Sequence, residues 1–105
     1  MTQYSRDPAR LAAAALQKAA QALSDERFTM ACSRLQGRLV LGATVCAALD
    51  AMSIDPLTPW AMRETILNAG TWYRVSQSID ELGYLMGFTD AQMDDLFRAA
   101  ALVVV

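Results

Sequence analysis

A chain of 105 residues buries about two-thirds of its surface on folding, enough for one hydrophobic core and too little for two. More than half of the residues are apolar, three are proline and no low-complexity tract occurs, which excludes an intrinsically disordered chain. The net charge of −2 is uneven: residues 1–49 carry six basic and three acidic groups (+3), residues 50–105 three basic and eight acidic (−5), so the two halves present opposite fields.

The longest stretch without a charge, residues 39–49, has eleven residues, about half of the roughly 20 that a spanning helix needs. No integral membrane protein is expected. Arg6 and Arg10 precede an alanine-rich run in the manner of a secretory signal, but Gln17 and Lys18 end that run after six residues, short of the roughly 7–15 of a signal core. A cytosolic protein is expected, with residues 1–6 loose and one domain over residues 1–105. Cys32 and Cys46 lie among apolar neighbours and are expected to be buried thiols.

In chain order, Asp7 and Pro8 form a helix start, a carboxylate cap followed by a residue that needs no amide hydrogen. The first helix is expected to run to about Leu23, with Ala12, Leu16, Ala19 and Leu23 on a narrow face that admits a close neighbour. Ser24 is expected to cap a second helix over residues 25–52, because Phe28, Cys32, Leu35, Leu39, Ala43 and Cys46 fall within about 80° at 100° per residue. Gly37 and Gly42 weaken it, and a break near Gly37 is the main alternative. Another side of that helix carries Arg27, Arg34 and Arg38 as a basic stripe, a solvated face or a contact strip for an acidic partner.

Asp55 and Pro56 mark a loop. Thr58 and Pro59 start a helix stapled by Leu57 and Met62 and closed by Gly70. Residues 71–77 have no evident partner strand and are expected to be helical. Within them Trp72 and Tyr73, followed by Arg74, are read as core packing or as an exposed anchor for a protein partner.

Residues 78–105 carry the strongest local signals. Ser78 with Glu81, and Thr89 with Gln92, have the spacing of capping boxes; Phe88 and Met93 form a staple, and Gly87 supplies a left-handed stop between two helices. Met93, Leu96, Phe97, Ala100 and Val104 then make one apolar face. The expected fold class is all-α, a compact bundle of about five helices ending in this helix-turn-helix-like pair. Gly83, Gly87, Phe88, Met93 and Leu96 place a small residue four before the turn glycine and apolar residues one, six and nine after it. In this the segment resembles the helix-turn-helix of DNA-binding regulators, and the resemblance implies two helices packed at a tight turn. Where that family presents cations to DNA, this helix carries Asp90, Asp94 and Asp95 with only Gln92 and Arg98.

The chain has no histidine, no Gly-rich phosphate loop and no paired-cysteine motif, so no enzyme, cofactor or metal site is expected. The expected function is that of a small acidic interaction protein. It would bind and inhibit or sequester a macromolecular partner, a basic, nucleic-acid-binding protein, as phage and bacterial inhibitors, antitoxins and immunity proteins do. A helix-turn-helix transcription regulator is the alternative. The expected partner contacts are Asp90, Asp94, Asp95, Trp72, Tyr73, Arg27, Arg34 and Arg38. The apolar chain end is expected to make a homodimer through Leu102, Val103 and Val105.

Overall fold

In the computed structural model, which describes residues 7–105, the order is α1 (Pro8–Thr29), β1 (Ala31–Ser33), α2 (Arg34–Leu41), α3 (Ala43–Ile54), α4 (Trp60–Asn68), β2 (Thr71–Tyr73), α5 (Gln77–Leu85) and α6 (Asp90–Ala101). The fold is all-α with one short ribbon. The looseness expected of residues 1–6 lies outside the described residues.

The first helix starts as its sequence requires, with the Ala9 amide donating to Asp7 Oδ1 at 3.0 Å and Pro8 inside the first turn. It does not stop near Leu23. Ser24 continues it, Gln21 donates to Asp25 across one turn at 2.9 Å, and the helix ends only at Thr29, where Met30 turns extended. No residue of α1 is buried. Among the described residues, the face expected to receive a neighbour has one only at its end, for Ala12, Leu16 and Ala19 are exposed and Leu23 half-buried.

The single helix expected over residues 25–52 is instead the end of α1, a strand and two helices. Ser33 makes a capping box with Gln36, its hydroxyl accepting from the Gln36 amide at 3.0 Å while the Gln36 side chain accepts from the Ser33 amide at 2.8 Å. That restart of the helix is incompatible with helical backbone through Met30–Ser33. The second break falls at Gly42, at φ 86°, and not at Gly37. Residues Arg34–Ile54 together have the length and hydropathy of a membrane span, 21 residues. Gly42 divides them into helices of 8 and 12, each too short to cross the roughly 30 Å hydrocarbon layer.

The helix expected at residues 71–77 is also absent. Thr71–Tyr73 pairs antiparallel with Ala31–Ser33 in the register Ala31↔Tyr73, Cys32↔Trp72, Ser33↔Thr71. Backbone bonds from the Arg34 amide to the Gly70 carbonyl (2.9 Å) and from the Arg74 amide to the Met30 carbonyl (3.1 Å) extend the ribbon at both ends. Its inward pair, Cys32 and Trp72, is buried, and the Trp72 ring lies against the backbone of Gly37 in α2. A Cβ at Gly37 would overlap that ring. Gly37→Ala is therefore expected to lower stability by about 1–2 kcal/mol, overpacking outweighing the gain of roughly 1 kcal/mol in helix propensity; urea unfolding of the variant checks the sign.

Two apolar clusters make the core. Met30, Cys32, Trp72, Ile79, Met93, Phe97 and Ala100 join the ribbon to α5 and α6, while Leu49, Met62, Ile66 and Leu82 join α3 and α4 to α5. Cys32 and Cys46 are buried free thiols. In α4 only the Met62–Ile66 side is covered; Trp60 and Leu57 are exposed, so the Leu57–Met62 staple does not form.

The α5–α6 pair forms as a tight helix-turn-helix. Gly87 takes φ 83°, the Phe88 amide donates to the Gly83 carbonyl at 2.9 Å, and the Gly87 amide donates to the Tyr84 carbonyl at 3.0 Å. Thr89 and Gln92 make the second capping box. Gly83 faces Met93 so closely that an added Cβ would stand 2.5 Å from its sulfur, which is why a small residue belongs there. The first of the two boxes does not form: α5 starts after Ser76, two residues before Ser78, without a side-chain capping bond, and Glu81 instead accepts from Gln77.

Candidate functional site on α5 and α6

The face that this pair presents is decided by where the arginines go. Arg74 leaves β2 at the ribbon end and is buried, its Nε donating to Asp94 Oδ1 at 2.9 Å. Its two terminal nitrogens reach Asp80 at 3.2 Å and Asp90 at 3.4 Å. From the other side Arg27, in the last turn of α1, donates from Nε and Nη2 to the two Asp94 oxygens at 2.9 and 2.8 Å. Asp94 is thus 3% exposed and held between two guanidinium groups. The Arg27 hydrogen bond, joined by that of Arg74 and opposed by burial, holds its carboxyl below the usual carboxylate range, and the same pair raises Arg27.

This corrects the expectation that Asp94 is a wet partner contact. Of the two readings of Trp72, core packing holds, for it is buried on the inward side of the ribbon and is no partner contact, whereas Tyr73 is exposed. The basic stripe does not exist as one surface. Arg27 lies on α1 and turns to Asp94; Arg34 donates to the Leu67 carbonyl at 2.7 Å; Arg38 pairs with Asp50 on α3 at 3.1 Å through both terminal nitrogens. The strand β1 separates Arg27 on α1 from Arg34 and Arg38, which stay one turn apart on α2, and each of the three has an internal partner. Arg98 serves in the same way, bridging Glu26 of α1 and Asp95.

What remains outward is acidic. The side chains of Asp80, Asp90 and Asp95 are 58%, 75% and 76% exposed, and Glu81 is exposed beside them. Gln77, Asp80, Glu81, Tyr84 and Leu85 recur at i, i+3, i+4, i+7 and i+8, one face of α5, and every one of them is exposed. Tyr84, 82% exposed, stands on that face one turn after Asp80 and Glu81, with Leu85 next to it. Asp80, Glu81, Tyr84 and Leu85 were not among the expected contacts. Their helical spacing was visible, but a polar face with one tyrosine reads as solvated until its neighbours are known to be uncovered.

The chain end divides. Leu102 and Val105 are exposed, while Val103 is half-buried, its carbonyl accepting from Gln36 Nε2 at 3.0 Å so that the tail is tied to α2. Chemically, the α5–α6 face offers hydrogen-bond acceptors, negative charge and one aromatic ring. The cation among Asp80, Asp90 and Asp94 is the guanidinium of Arg74, and among the described residues no three His, Cys, Asp or Glu side chains come together as metal ligands. No family model, no curated protein and no solved structure matches this chain.

Proposed function

We propose that the chain is a non-enzymatic binding protein of the cytoplasm that presents the α5–α6 face to a basic protein partner and inhibits or sequesters it, as small phage and bacterial inhibitors, antitoxins and immunity proteins do. The observation that carries this reading is the exposed face of α5, where Tyr84 and Leu85 stand among Asp80 and Glu81, with Asp90 and Asp95 on the adjoining helix. An exposed tyrosine is an efficient anchor because it buries a large rigid surface and keeps a polar tip. Carboxylates around it speed encounter with a basic surface and repel an acidic one, and a nucleic-acid-binding protein is a partner whose own site is basic.

A second reading rests on a different observation, the close Gly83–Met93 packing and the Gly87 turn, which have the form of a helix-turn-helix regulator. Against it stands the charge of the helix that would enter the groove, where Asp90 and Asp95 face outward and the nearby arginines serve the fold.

The test compares the intact chain with the variant Tyr84→Ala, Glu81→Gln, Asp95→Asn in capture from a lysate of the source cells. A basic protein is expected to be retained by the first and lost by the second, with Tyr84→Ala alone weakening it by about 30-fold and added salt slowing association. Retention that ignores all three substitutions would reject this face. Sub-micromolar binding of the intact chain to duplex DNA at physiological salt would put the regulator first.

A further inference from the structure

Among the described elements α1 alone buries nothing, and its sequence is not that of a solvated helix. Plotted at 100° per residue, Leu11, Leu16 and Leu23 fall with Ala12, Ala15, Ala19, Ala20 and Ala22 in one half of the circumference, and Arg10, Gln17, Lys18, Gln21 and Asp25 fall in the other together with Ala13 and Ala14. Leu11 is 50% and Leu16 73% exposed. The apolar half is the same side that meets the body of the protein in the last turns, where Leu23 is half-buried, Glu26 pairs with Arg98 and Arg27 pairs with Asp94. Among the described residues, the docked side of α1 therefore runs on past the body as an uncovered apolar face. That projection accounts for a longest dimension of 64 Å and a radius of gyration of 18.0 Å, against about 13 Å for a compact chain of this length.

Isolated helices of about 15 residues are marginal in water, because most helical stability in proteins comes from packing an apolar face. Charge selects what covers this one. After its cap, the uncovered part of α1 carries Arg10 and Lys18 and no acid until Asp25, whereas residues 50–105 carry a net −5. An antiparallel pairing sets each basic arm alongside the acidic body of the other copy, and it uses the same face of both, as a two-fold axis requires. Size agrees with charge. A crossing midway between Leu16 and Ala19 puts Leu16 against Ala19 of the partner subunit and Leu23 against Ala12 of the partner subunit, a large residue meeting a small one each time.

We propose that α1 is a self-association arm, through which two copies of the chain pair antiparallel along the Leu11–Leu16–Leu23 face. This does not depend on the binding role of α5 and α6. The arm uncovered over residues 8–22 is about 22 Å long, so the contact is smaller than the roughly 800 Å² per partner of a standard interface, and the dimer dissociates in the micromolar range.

Sedimentation equilibrium of the full chain tests it. A monomer–dimer equilibrium is expected for the intact protein, weakened by added salt. Leu16→Glu, on the paired face, is expected to raise the dissociation constant by tenfold or more, and the charge-neutral Gln17→Ala, on the opposite face, to leave it near the parent's. Because α1 lies outside the core, both variants should keep the parent's unfolding midpoint, and the milder Leu16→Ala should fall between them. A clean monomer at about 100 μM would overturn the proposal. So would a dimer that ignores Leu16→Glu, and one that dissociates only when residues 102–105 are removed would assign the contact to the chain end instead.

Discussion

Asp94→Ala is expected to cost about 3–5 kcal/mol, a large part of the roughly 5–15 kcal/mol that holds a small domain together. The substitution leaves Arg74, 4% exposed, charged inside the protein without the carboxylate that its Nε faces, and it releases Arg27 from the base of α1. Urea unfolding measures the loss. Replacing both partners, Arg74→Met with Asp94→Leu, should recover much of it, since removing a buried pair as a unit spares the cost of an isolated charge. A single variant as stable as the parent would mean that the guanidinium reaches water by another route.

The same carboxyl sets a pH dependence whose sign follows from its lowered pKa. Its contribution is fully present above the unfolded value of about 4 and is lost as the pH falls through the lower folded value. Unfolding midpoints of the parent should therefore drop more steeply below about pH 4 than those of Asp94→Asn.

Phe97→Ala is expected to cost a similar 3–5 kcal/mol, by a different route. Phe97 is 1% exposed and lies beside Ala100, which is fully buried, in the cluster that joins α6 to the ribbon. Truncation leaves a cavity whose walls are a helix, Trp72 and Met30, none of them on a free end that could close over it. A denaturant midpoint equal to the parent's would contradict the packing described.

How much of this was legible follows the range of the interactions. The α6 face, the Thr89–Gln92 box and the Gly87 stop are written within short stretches of sequence, and they form as read, except that α6 ends at Ala101 and leaves Val104 exposed. The ribbon was hidden because Ala31–Ser33 is three residues long and Cys32 continues a helical period from Phe28, while its partner strand lies 40 positions away. Asp94 was misjudged for a related reason. Its burial is set by Arg74 and Arg27, 20 and 67 residues off in sequence, and nothing within its own helix announces either. The outward face of α5 became legible only once those arginines were seen to be engaged elsewhere.

The three-residue ribbon also orders the events of folding. Ser33 and Thr71 meet although they are 38 residues apart, and two strands so short are not stable alone. Closing that loop costs chain entropy before the pairing returns anything, so the loop must first be shortened by structure within it. α2, α3 and α4 supply that structure by packing on one another, bringing the two strands together as the ends of a preformed hairpin of helices. Strand pairing, with the Trp72 ring settling on Gly37, is therefore expected to be a late step in the assembly of this chain although it joins the centre of the core, and φ-values near zero for substitutions at Thr71 and Cys32 would show it.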